Sequence, residues 1–82
     1  MVLVDVYIPS VDETYDFMLE ETAETEKIML EIYEMVAKRM NSSTAEGIEN
    51  FLLYHMTTGK LLERGRTLAE SGVKDGSKLM LV

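Results

Sequence analysis

The sequence contains no cysteine and no tryptophan, and it has one proline and one histidine in 82 residues. Without cysteine there can be no disulfide, no thiol nucleophile and no thiolate metal site. Small secreted domains usually rely on disulfide staples, so a reducing cytoplasm is the expected location. His55, the lone histidine, has no second nitrogen or thiolate to join. Neither a metal site nor a catalytic base is therefore assigned to it, and its strand position makes it a half-buried structural residue. Positive charge is scarce as well: 8 Lys and Arg stand against 15 Asp and Glu, a net charge of −7. A polyanion would be repelled, so neither nucleic acid nor an anionic membrane is an expected partner. The acidity suits solubility or attraction of a basic protein surface. No basic segment followed by a long apolar run opens the chain, so no signal peptide is expected. No stretch reaches the roughly 18–20 apolar residues of a bilayer span, which argues against direct membrane insertion. Gly59, Gly65, Gly72 and Gly76 form no phosphate-binding pattern and are assigned to turns. Asp12, Glu13, Asp16, Glu20, Glu21, Glu24 and Glu26 lack calcium-loop spacing and read as a solvated acidic face. No catalytic residue, metal ligand or cofactor is assigned, and the protein is not expected to be an enzyme.

What remains is a strongly patterned chain, long enough for one domain spanning residues 1–82. From Val2 to Ile8 the residues alternate, with Val2, Val4, Val6 and Ile8 on one side, as a strand requires. Pro9, Ser10, Asp12 and Glu13 break the pattern, and Tyr15, Phe17 and Leu19 resume it, giving a hairpin. The period then changes to helical at about 24–40, where Ile28, Ile32, Met35 and Val36 form an apolar stripe beside Met29. Thr22 or Thr25 is the candidate N-cap, and Met29 and Met35 are expected in the core. Residues 41–50 read as a loop, with Ser43 and Glu46 at capping-box spacing. A strand over 51–57, a turn at Gly59 and a short strand at 60–62 follow. Gly65 suits a left-handed backbone position, and Thr67–Gly72 fits one capped helical turn that sends Leu68 and Val73 into the core. Asp75-Gly76 is a turn, and Leu79–Val82 is the closing strand. One amphipathic helix needs one apolar sheet face to cover it. The expected architecture is therefore α+β, with a mixed four- to five-stranded sheet and one main helix on one face.

The closing run LLERGRTLAESGVKDGSKLMLV resembles ubiquitin-like β-grasp proteins. Leu62, Gly65, Arg66, Thr67, Leu68, Val73, Leu79 and Leu81 fall at the family's signature places, and Gly59-Lys60 matches its hairpin. Within that superfamily the size, the acidity and the ending GVKDGSKLMLV are most similar to the YukD/EsaB group. Those are small bacterial ubiquitin-like proteins encoded with type VII (WXG100, ESX-like) secretion systems. The resemblance implies a ubiquitin-like β-grasp fold. It also implies a cytoplasmic accessory or regulatory role in such a system, with secretion-system membrane components or WXG100 substrates as partners. Ubiquitin-like modifiers and sulfur carriers act through a flexible Gly-Gly tail, whereas here the chain stops at Val82, in the last strand. Unless the sequence is a fragment, a non-conjugated binding module is expected. A modifier or sulfur carrier, and a ubiquitin-like adaptor of another bacterial pathway, are the alternatives.

Strand parity nominates the contact residues. If Leu79 and Leu81 face the helix, the pleat sends Met80 and Val82 to the opposite face. The resemblance places Met56 on the neighbouring strand pointing the same way, with Tyr54 two residues before it. Tyr54, Met56, Met80 and Val82 are the candidate protein-interaction residues, where ubiquitin carries its main recognition patch. Scattered surface apolar residues and a homodimer contact are the competing readings.

Overall fold

The computed structural model describes residues 1–39 and 51–82. The loop expected at 41–50, with Ser43 and Glu46, lies outside them. Among the described residues five strands and one helix follow in order: β1 (Val2–Ile8), β2 (Glu13–Leu19), α1 (Thr25–Arg39), β3 (Leu53–His55), β4 (Lys60–Leu61) and β5 (Lys78–Leu81). The sheet order is β2-β1-β5-β3-β4. β1 and β5 run parallel at its centre, and every other pair is antiparallel. This is the α+β β-grasp arrangement that the sequence resemblance implied.

The core lies between α1 and one sheet face. Val4, Val6, Ile8, Phe17, Leu19, Leu53, Leu79 and Leu81 come from the strands, and Ile28, Met29 and Ile32 from the helix. Each fully buried aliphatic side chain contributes roughly 1.5–3 kcal/mol through removal from water. Met35 departs from the expectation and is 47% exposed. The buried helix residues are Thr25, Ile28, Met29 and Ile32, with Val36 packed at their edge. That stripe runs past Met35 toward the Met29 side, so Met35 faces out despite its apolar spacing.

Neither candidate threonine caps α1 with its side chain. The Thr22 hydroxyl donates to Glu20 Oε1 at 3.1 Å, and the buried Thr25 hydroxyl donates to the Arg66 carbonyl at 2.8 Å. The first-turn amides are satisfied instead by a segment forty residues away. Thr25 N donates to the Arg66 carbonyl at 2.9 Å, and Glu26 N to the Arg64 carbonyl at 3.2 Å. Helix ends leave such amides without intrahelical partners, and here a distant backbone supplies them. At the other end of α1 the Arg39 guanidinium lies 5.1 Å from the centre of the Tyr15 ring.

The same bonds explain the Gly-Arg-Thr-Leu segment. Thr67 N donates to Glu70 Oε1 at 2.8 Å, and Glu70 N donates to Thr67 Oγ1 at 3.1 Å, a reciprocal capping box. The turn closes with Val73 N bonded to the Leu68 carbonyl and Gly72 N to the Ala69 carbonyl. That is a Schellman stop, with Gly72 at φ +81° and Leu68 and Val73 buried beside it. Gly65 corrects the sequence reading: among the described residues the left-handed glycines are Gly59, Gly72 and Gly76, and Gly65 is not one of them.

Candidate functional site

The sheet face away from α1 is built by register. Tyr7 pairs with Thr14 on β2 and with Met80 on β5; Met80 pairs with Tyr54 on β3, and Tyr54 with Leu61 on β4. Thr14, Tyr7, Met80, Tyr54 and Leu61 therefore form one row across all five strands. On one side of this row, Leu52 and Val82 exchange backbone bonds of 2.7 and 2.9 Å. On the other side, Asp16 pairs with Asp5 and Asp5 with Lys78, while Met56 N donates to the Lys78 carbonyl at 2.8 Å.

Parity accounts for the facing of each side chain. Leu53, Leu79 and Leu81 are buried against the helix, so their neighbours Leu52, Tyr54, Met80 and Val82 point outward. The four residues nominated from the sequence come together on adjacent strands: Tyr54 opposite Met80, Val82 next along β5, and Met56 next along β3. Tyr54 and Met80 are half-buried, while Met56 and Val82 are 46% and 43% exposed. Leu52 and Leu61 join the patch and were missed. Leu52 shares the parity of Tyr54 and Met56, so it follows once Met56 is placed on the outer face of the strand expected over 51–57. Leu61 follows from the buried Leu62 beside it.

Polar groups fix the margins. The Tyr7 hydroxyl donates to Asp12 Oδ1 at 2.9 Å, and this bond to a carboxylate raises the phenol's pKa above its ordinary value. Asp12 sits at φ 53° in the β1–β2 turn, so the contact also ties that turn to the outer face. Asp5 and Asp16 stand directly opposite each other, and a side-chain hydrogen bond with Asp5 raises the Asp16 pKa above the usual carboxylate range. A shallow depression of about 290 Å³ lies among Asp5, Tyr7, Thr14, Met56 and Lys78.

His55 belongs to the other face. It is 6% exposed, more buried than the sequence suggested. Its Nδ1 lies 3.1 Å from Thr58 Oγ1, which donates in turn to the His55 carbonyl at 3.4 Å and accepts from Lys60 N at 3.3 Å. That network makes the imidazole a fastener of the β3–β4 turn. Among the described residues no group of three ligand-type side chains is placed to hold a metal, and no helix is long and apolar enough to cross a membrane.

No protein-family model matches the sequence, and no curated protein matches it. Solved structures do match in three dimensions. The ubiquitin-like domain of an Arabidopsis thaliana protein superposes with a TM-score of 0.75 at 20% identity, over 99% of this chain and 74% of that one. The N-terminal ubiquitin-like domain of the 4931431F19Rik protein gives 0.70 at 22% identity, over 99% and 72%. Those likenesses, with the strand order and α1 packed on one sheet face, establish the fold of this chain as the ubiquitin-like β-grasp.

Proposed function

We propose that this protein is a non-catalytic, non-conjugated protein-interaction module that binds through the outer sheet face. The observation that carries the reading is the continuous apolar row Tyr7, Met80, Tyr54 and Leu61, widened by Leu52, Val82 and Met56. Seven apolar or aromatic side chains share one solvent-facing surface, which is how recognition sites on small domains are built. The two solved neighbours are themselves ubiquitin-like domains, which is consistent with this use of the fold. The closing segment's likeness to the YukD/EsaB group makes a cytoplasmic accessory or regulatory role in type VII secretion the first process to test. Secretion-system membrane components and WXG100 proteins are the corresponding partners.

The test is affinity capture from a cytoplasmic and membrane extract, comparing wild type with Met80→Lys by mass spectrometry. Wild type should recover a secretion ATPase or WXG100 proteins, and Met80→Lys should lose them. An unrelated partner set that is still lost with Met80→Lys removes the secretion assignment and keeps the face. A partner set unchanged by Met80→Lys removes the face. Intact mass after incubation with extract and ATP should be unshifted, and a covalent adduct would overturn the non-conjugated reading.

A further inference from the structure

The face that carries the proposed binding function also carries a charged row beside its apolar strip. Asp5 and Asp16 sit in register on neighbouring strands, one row from the apolar strip. Like charges placed directly opposite each other in a sheet are unfavourable, so the pair works against the stability of the free domain. Lys78 stands in register with Asp5 on its other side. The ion pairs among the described residues are Met1–Glu21, Arg64–Glu26 and Arg66–Glu63, so Lys78 bridges neither carboxylate. The row Asp16, Asp5 and Lys78 thus carries two acids against one base, and it borders the depression lined by Asp5, Tyr7, Thr14, Met56 and Lys78. The rest of the molecule reinforces this sign, with a net charge of −7.

We infer that the outer face docks a basic amphipathic segment of a partner protein, its apolar side chains on Met80, Tyr54 and Leu61 and an Arg or Lys over the Asp5–Asp16 pair. This rests on the reading of the face given above and deepens it. The apolar centre between β5 and β3 lies two strand spacings and one pleat repeat from the carboxylates. At roughly 4.8 Å per strand and about 3.3 Å per residue, the separation is about 12 Å. On a helix, that places the cation about two turns from the apolar anchors, at 1.5 Å per residue. A cation there replaces carboxylate repulsion with charge-assisted hydrogen bonds. A second copy of this chain fits less well, because it brings the same negative charge and the same acid pair.

The experiment uses two synthetic helical peptides, identical in their leucine stripe. One carries two arginines two turns from the stripe, and the other carries glutamates there. Each is titrated into isotopically labelled full chain at low salt. The arginine peptide should shift the amides of Tyr7, Met80, Tyr54, Asp5 and Asp16, and should bind at least tenfold more tightly than the glutamate peptide. Asp5→Asn combined with Asp16→Asn should reduce that preference to within about twofold, while Glu31→Gln combined with Glu34→Gln, on the helix's solvent side, should leave it intact. Met80→Lys should weaken the arginine peptide several-fold. Equal binding of both peptides through the outer face would overturn the basic-partner inference and leave the face standing. A preference that survives the aspartate double variant, falls equally with the glutamate control, or maps away from this face would also overturn it. Failure of both peptides to shift the face would overturn it together with the face itself.

Discussion

Leu79 and Met80 are adjacent, similar in size and assigned opposite jobs, so substituting each in turn is a sharp test of the architecture. Leu79 is fully buried in the core, and Met80 is half-buried on the outer face opposite Tyr54. Replacing a fully buried leucine with alanine loses both transfer free energy and packing, about 2–5 kcal/mol. A chain of 82 residues has a total stability of roughly 4–12 kcal/mol at about 0.05–0.15 kcal/mol per residue, so Leu79→Ala removes a large share. At about 4–8 °C per kcal/mol for a domain of this size, a 3 kcal/mol loss lowers Tm by roughly 12–24 °C. Met80→Lys keeps the aliphatic stem on the sheet and sends its charge to water, so its cost stays within about 1 kcal/mol and Tm falls by less than about 8 °C. Urea unfolding followed by circular dichroism measures both variants, with the m-value checking that the unfolded states are comparable. Equal destabilisation by the two would refute the assigned parity of β5, and the proposed face would fall with it.

Four further outcomes follow from the turns and the acid pair. Thr67→Ala should cost about 0.5–2 kcal/mol by removing the capping box at the Gly-Arg-Thr-Leu turn, measured by the same unfolding curves. The Thr67 amide and hydroxyl hold the Glu70 carboxyl below its ordinary pKa. The box's stabilisation is therefore full above the usual glutamate range and lost as pH falls through the depressed value, so wild type and Glu70→Ala should converge in acid. Gly72→Ala should destabilise by about 1–2 kcal/mol because φ is +81° there, whereas Gly65→Ala should be neutral or slightly stabilising by Tm. Asp16 has the opposite sign from Glu70: its raised pKa means that the folded chain holds this proton more tightly than the unfolded one. The resulting stabilisation is present in acid and lost as pH rises through the raised value, so Asp16→Asn should gain on wild type toward neutral pH.

Much of this molecule was readable before folding was considered. The alternation at 2–8 predicted β1 to the residue, and the change to helical period placed α1 within one residue at each end. Leu68, Val73, Leu79 and Leu81 were expected in the core and are there. Met80 and Val82 were assigned to the outer face because a pleat alternates strictly, and the family resemblance, not parity, set Met56 and Tyr54 beside them on the neighbouring strand. The misses share a cause. Met35 has the right spacing for the stripe, but which arc of the helix is buried depends on how α1 lies across the sheet. Gly65 sits in a family-like motif, yet its φ depends on the docking of Arg64 and Arg66 against α1. Thr22 and Thr25 were the local choices for a cap, and the Thr25 hydroxyl went to a carbonyl that sequence proximity does not reveal.

By itself, the sequence determined the element types, their order, the inward residues of β1, β2 and β5 and a net charge that disfavours anionic partners, because these depend on local period and composition. Only the tertiary structure decided that β1 and β5 lie side by side at the sheet's centre, since a parallel pairing joins segments about seventy residues apart. That pairing puts Tyr7 beside Met80, and Asp5 between Asp16 and Lys78. The carboxylates and the apolar strip thereby become one surface. Long-range register obeys no local rule: it follows from which arrangement buries every apolar face at once.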